Sequence, residues 1–344
     1  MMLPAACGSG AQESVRDPTT IQAPAGAVAA LQRIEPSGRF AVGRIEASPE
    51  GQPPVWLYYP AAASRIEPQA DGPLPSPYGT GLARRFGADA AAALLAMTGH
   101  ARADAPVAEG RFPLLVFSPG ATMGGRDYRL FVEALASHGY VVAMTHPLGS
   151  PPAGAERYGA AAGELAALVP ALRDWAKGTA LGAHLAPGRI GLIGHSIGGA
   201  ASVLALAQLP NGAVAVNLDG DFAGAARSAA ASGPILYLIG KTDGESEASV
   251  ARRLGDWKMV AGGNPDATIV QIATLRHFDF ADAALLPAGL VPEAQRRNRF
   301  GPIGGERAHA ATTGLVLGFL DETLRGQAGA FNAALRAVPE ANRR

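Results

Sequence analysis

The stretch RIGLIGHSIGGAASVLALAQL, Arg189 to Leu209, decides how the rest of the chain is read. One apolar run enters the pentapeptide GHSIG and a second leaves it, so the pattern predicts strand, tight turn and helix. GHSIG fits G-x-S-x-G, a short pattern that gains its meaning from the strand before it and the helix after it. A serine on so sharp a turn sits in a strained backbone conformation, at a cost of about 1–3 kcal/mol. Side chains at Gly194 and Gly198 would collide with neighbouring backbone. The turn would then hold the Ser196 hydroxyl up at the sheet edge as a nucleophile. A dinucleotide-binding turn is the rival reading, and it also predicts an acid near the end of the next strand, where Asp219 lies. The glycines, however, fall at 191, 194, 198 and 199, which is not G-x-G-x-x-G. His195 and Ser196 would also crowd the place where backbone must approach a pyrophosphate. A purely structural turn is the third reading, and the nucleophile is preferred to both.

Working outward, short apolar runs alternate with segments of helical period. FPLLVFSPG, VVAMTHP, RIGLIG, AVAVNLDG, PILYLIGKTD and ATIVQIATLRH read as strands. DYRLFVEALASHGY, residues 160–177 (disturbed by Pro170), 198–209, 248–255 and 309–323 read as helices. PVWLYYPA, Pro54 to Ala61, is an earlier strand. Residues 62–111 form an Ala/Gly/Pro-rich, cap-like excursion with one helix over 82–97, and residues 1–35 read as a flexible leader. Continuous apolar strands alternating with helices imply one α/β domain over 36–344. Its mostly parallel central sheet would carry helices on both faces. Ligands of such sheets bind beyond the carboxyl ends of the strands.

Composition narrows the chemistry. Of 344 residues 48% are apolar, enough for a large core, and 29 basic residues balance 29 acidic ones with no basic run of five or more. A nucleic-acid partner is therefore not expected, and a small ligand is. The single cysteine, Cys7, allows no internal disulfide. The seven histidines show no zinc-binding pairing, so neither a metal nor another cofactor is expected. LPNG at 209–212 breaks the long uncharged stretch, so no transmembrane segment is read there. MMLPAACGSGAQES resembles the end of a bacterial lipoprotein signal without its apolar h-region. Export, with Cys7 as a lipid-anchor site, is preferred to a cytoplasmic location.

A serine nucleophile needs a base, and the base needs an orienting acid. In folds with this elbow the chain order is serine, acid, histidine. Only His277 and His309 follow beyond the adjacent His195, which points elsewhere. His309 falls inside a helical pattern and His277 follows the last strand, so His277 is the expected base. Asp219 and Asp243 each end a strand, with Asp221 two residues beyond the first, and spacing alone leaves the choice between Asp219 and Asp243 open.

With these residues in place, the chain resembles the platelet-activating factor acetylhydrolase-like branch of the α/β-hydrolases over about Pro54 to Gly326. VWLYYPA, FPLLVFSPGA, ALASHGYVVAMTHP, GHSIGGAA, NLDGDF, HFDFADA and FGPIGGERA carry the resemblance together and in order. It implies that the acid sits in the LDG segment, hence Asp219. It also implies an H-x-x-F-x-D motif, matched by His277, Phe280 and Asp282. The first oxyanion donor would be the Ala121 N–H, although Pro119 replaces the family's histidine before Gly120. The second would be the Ile197 N–H.

The expected function is cofactor-independent hydrolysis of short-acyl lipid or other small esters through an acyl-enzyme. Polyester hydrolysis, other chemistry on the same triad, or a noncatalytic binding module are the alternatives. The pocket walls are expected from residues 62–111 and from DAALLPAGLVPEA after the histidine.

Overall fold

The apolar runs become the centre of one sheet whose alternate residues feed two different cores. A computed structural model describes residues 18, 21–62, 76–145, 154–209, 211–228, 231–240 and 246–344. Cys7, the expected lipid-anchor site, and Asp243, one of the two candidate acids, lie outside the described residues.

Among the described residues the chain runs α1 (Ala25–Gln32), β1 (Ala41–Ala47), β2 (Val55–Ala61), α2 (Ser76–Phe86), α3 (Ala88–Ala96), β3 (Arg102–Ala103) and β4 (Phe112–Ser118). It continues through α4 (Arg129–Ser137), β5 (Val141–Met144), α5 (Glu156–Lys177), β6 (Leu185–His195), α6 (Ile197–Ala205) and β7 (Val214–Leu218). The last elements are β8 (Ile235–Ile239), α7 (Glu247–Val260), β9 (Ala267–Ile272), α8 (Glu293–Arg299), α9 (Gly305–Arg325), α10 (Ala330–Ala337) and β10 (Ala341–Arg343). The sheet order is β10-β9-β8-β7-β6-β4-β5-β2-β1-β3. From β5 to β9 all neighbours are parallel; β1 and β2 pair antiparallel with each other, as do β2 with β5 and β10 with β9.

Side chains two apart share a sheet face. Leu114 and Val116 of β4 join the core under α5, α6 and α7, whereas Leu115 and Phe117 join the core under α4 and α9. Helices therefore cover both faces, which is why the strands read as unbroken apolar runs. A third cluster joins Leu31, Leu82, Phe86, Leu130, Leu286 and Phe300, packing α1 to α3 against the segment after β9.

The structure differs from the sequence reading in several places. Within the segment read as a leader, Ala25–Gln32 is helical, because Ala27 and Leu31, four residues apart, bury one face. The helix expected over 82–97 is two helices separated at Gly87. Pro170 does not interrupt α5, which continues for 22 residues. The strand read into ATIVQIATLRH stops at Ile272.

Candidate active site

Strand β6 delivers the chain to Ser196, which has φ 57° and ψ −124°. That region is sparsely populated by L-residues, so the surrounding structure must hold it. Ser196 N–H donates to the Leu218 carbonyl at 2.9 Å, tying the turn to the end of β7. A Cβ on Gly198 would lie 2.2 Å from the Ser118 carbonyl oxygen, so only glycine lets the start of α6 approach the loop after β4. The physical reason for the glycine in GHSIG is thus backbone against backbone.

The NLDGD segment is built in the same way. Asn217 holds both polar groups of Gly220, its Oδ1 accepting from N–H at 2.7 Å and its Nδ2 donating to the carbonyl at 2.9 Å. Between them Asp219 takes φ 53°, a conformation that aspartate tolerates better than most residues. A Cβ on Gly220 would meet the Ser196 carbonyl oxygen at 2.1 Å. The acid and the serine therefore sit on backbone turns that touch.

Asp219 is buried, with a side chain 4% exposed. Its Oδ2 lies 2.8 Å from His277 Nδ1, and its Oδ1 accepts from Arg253 Nη2 at 2.7 Å and from Gly240 N–H at 3.0 Å. Burial alone would raise its pKa; the His277 hydrogen bond, the Arg253 charge and the Gly240 N–H together hold it below the usual carboxylate range. Arg253 Nε also binds Asp221 Oδ1 at 2.7 Å, so one guanidinium bridges two carboxylates. Its pKa is raised, because the two carboxylates, with Tyr237, outweigh its burial.

His277 opens a single helical turn after β9. Asp279 braces that turn by accepting from Arg276 N–H and Gly301 N–H, each at 2.7 Å. The other members of H-x-x-F-x-D have structural partners. Phe280 lies 5.7 Å, centroid to centroid, from the His195 ring, and Asp282 Oδ2 accepts from Leu130 N–H in the first turn of α4. His309 sits in α9, where burial lowers its pKa to about 4.

Ser196, Ile197, Asp219, His277 and Ala121 all border one cleft of about 320 Å³, completed by Arg157, Tyr158, Asp221, Ser249 and Arg253. The structure thus brings together all five expected site residues. The expected walls differ: the lining comes from the starts of α5 and α7, not from the described parts of residues 62–111 or 282–294. Those parts pack on one another in the third cluster, and Arg85 of α2 donates to the Thr122 carbonyl, next to Ala121, at 2.6 Å. Phe278 meets Phe86 of α2 edge to face at 5.6 Å, with the Arg299 guanidinium 5.3 Å from the Phe278 ring. Arg253, Arg157 and Tyr158 carried no sequence signal, since each lies in a helix remote in sequence from the serine.

His195 is fully buried beneath the site. Its Nδ1 is 2.7 Å from the Tyr128 hydroxyl and its Nε2 is 2.8 Å from the His277 carbonyl oxygen. Burial, reinforced by His277, lowers its pKa well below the ordinary histidine value.

Strand order, two covered faces and a serine elbow at the end of a central strand define the α/β-hydrolase fold. A ferulic acid esterase from Streptomyces cinnamoneus has a similar solved structure, with a TM-score of 0.66 and 26% sequence identity, over 90% of this chain and 97% of that one. No protein-family profile matches the chain, and no curated protein matches it. Among the described residues no three potential metal ligands converge, and no helix is long and apolar enough to cross a membrane.

Proposed function

We propose that this protein is a serine carboxylic ester hydrolase with Ser196 as nucleophile, His277 as base and Asp219 as orienting acid. The observation that carries this reading is the 2.8 Å bond between His277 Nδ1 and the buried Asp219 carboxylate, on a cleft shared with Ser196. A proton on Nδ1 leaves the Nε2 lone pair as the base. Nε2 takes the Ser196 hydroxyl proton while Oγ forms a bond to the ester carbonyl carbon. The tetrahedral oxyanion is held by the Ala121 and Ile197 N–H groups, the latter at the N-terminus of α6. Collapse breaks the bond to the alcohol oxygen, which leaves with the proton from His277. Water then attacks the acyl-enzyme by the same route and restores Ser196.

The motifs shared with the platelet-activating factor acetylhydrolase-like branch and the likeness to a ferulic acid esterase both support ester chemistry. The cleft is small and bordered by charged and hydroxyl side chains, which favours small esters over long acyl chains. A series of nitrophenyl esters of increasing acyl length, with a methyl hydroxycinnamate beside them, tests the reading. Hydrolysis of the short members, abolished by Ser196→Ala and by a fluorophosphonate that phosphonylates Ser196 Oγ with loss of fluoride, is expected. No turnover of any ester and no adduct at Ser196 would overturn it in favour of a binding module.

A further inference from the structure

We propose that Tyr128 and His195 are positioning residues that lock the oxyanion loop to the histidine loop through one directed chain of hydrogen bonds. The inference rests on the ester-hydrolase reading for its kinetic consequence, but not for its geometry.

The direction of the chain is forced. The His277 carbonyl oxygen can only accept, so His195 Nε2, 2.8 Å away, carries the proton. In neutral imidazole Nδ1 is then an acceptor, and its partner at 2.7 Å, the Tyr128 hydroxyl, must donate. The same hydroxyl oxygen accepts from Gly120 N–H at 3.2 Å. Met123 Sδ lies 3.0 Å from that oxygen, but the imidazole nitrogen is nearer and the stronger acceptor for its one proton. The order is therefore Gly120 N–H to Tyr128 O–H to His195 Nδ1, then His195 Nε2–H to the His277 carbonyl.

Each end of this chain touches the chemistry. Gly120 immediately precedes Ala121, the candidate oxyanion donor that borders the cleft, and His277 is the candidate base. The middle member, His195, is the residue before the nucleophile. Tyr128 and His195 are both fully buried, and their rings pack 5.6 Å apart, so neither is free to turn away. Burial and the neighbouring His277 keep His195 neutral, the form that the chain requires. Positioning errors of about 1 Å at a reacting centre cost up to about 10²-fold in rate, so a link of this kind should be visible in turnover.

Two measurements test the proposal. Nitrogen-15 spectra of the histidines, on the whole chain, report the tautomer without reference to activity. His195 is expected as the Nε2–H form, with its Nδ1 signal alone shifting strongly in Tyr128→Phe; an Nδ1–H tautomer would overturn the chain. In kinetics, Tyr128→Phe should lower kcat by about 10- to 100-fold with KM within about twofold. It should weaken a boronic acid inhibitor, which mimics the tetrahedral oxyanion, by a similar factor. His195→Gln, whose amide nitrogen reproduces the donor to the His277 carbonyl, should recover part of the kcat lost in His195→Phe. In the double variant Tyr128→Phe/His195→Phe the two losses should not add. Full additivity, or a folded Tyr128→Phe with unchanged kcat and inhibitor affinity, would overturn the proposal. An inactive parent with the expected tautomer would instead count against the esterase reading alone.

Discussion

Arg253 grips Asp219 from the side opposite His277, with Nη2 2.7 Å from Oδ1 while the imidazole occupies Oδ2. The carboxylate is thereby fixed in rotation as well as in charge. Because Nε of the same guanidinium binds Asp221, the fork spans the two acids that flank Gly220. Removing one member of a buried pair costs about 3–5 kcal/mol. Arg253→Met is expected to lose stability on that scale in urea unfolding. Arg253→Lys should restore only part of it, because one ammonium lacks the fork geometry. A methionine variant as stable as the parent would remove this role.

The two acids on that fork are expected to behave differently. Asp219→Asn should lower kcat by about 10⁴-fold with the circular dichroism spectrum retained, because the imidazole loses its orienting acceptor. Asp221→Asn, at a half-exposed position, should change kcat by only a few fold. Asp243→Asn should also stay active. A folded but inactive Asp221→Asn or Asp243→Asn, beside an active Asp219→Asn, would move the acid elsewhere.

Ser196 gives a separate test through stability. Its φ of 57° is strained for any residue with a Cβ and relaxed for glycine. Ser196→Gly should therefore be more stable than Ser196→Ala by about 1–3 kcal/mol and melt at a higher temperature, with both lacking esterase activity. Equal melting temperatures would mean that the turn stores no strain.

His309 makes a prediction about pH. Burial lowers its pKa to about 4 in the folded protein, against about 6.5 in an unfolded chain. The unfolded state therefore binds more protons between these values, and stability is lost as pH falls from about 6.5 towards 4. Buried His195 acts with the same sign. His309→Leu should flatten this loss, so the difference in melting temperature between variant and parent should shift in the variant's favour between pH 7.5 and 4.5. A difference independent of pH would show that His309 is solvated.

The sheet centre was legible because strands such as FPLLVFS are buried on both faces and therefore carry no polar interruptions. The sheet margins were not. AVGRIEA of β1 mixes glycine and charges, and β10 is three residues long. Helix α5 was visible, but its passage through Pro170 was not, since tertiary packing outweighs one lost hydrogen bond. Ser196 and His277 could be singled out because each follows a strand in a fold whose strand ends face one cleft, whereas Asp219 was separated from Asp243 only by the resemblance of its LDG segment. Arg253, within α7, and Tyr128, immediately before α4, could not be singled out, because neither position carries information on which distant loop its side chain will reach.

β10 pairs with the outer edge of β9, and beyond it Arg344 N–H donates to the Ile269 carbonyl while its Nε reaches Gln271 Oε1 at 2.8 Å. Stripped of that cover, β9 would present a row of unpaired amides and carbonyls, a template on which another molecule's strand could polymerise. These few residues cover the last part of β9, the strand that leads into the loop carrying His277.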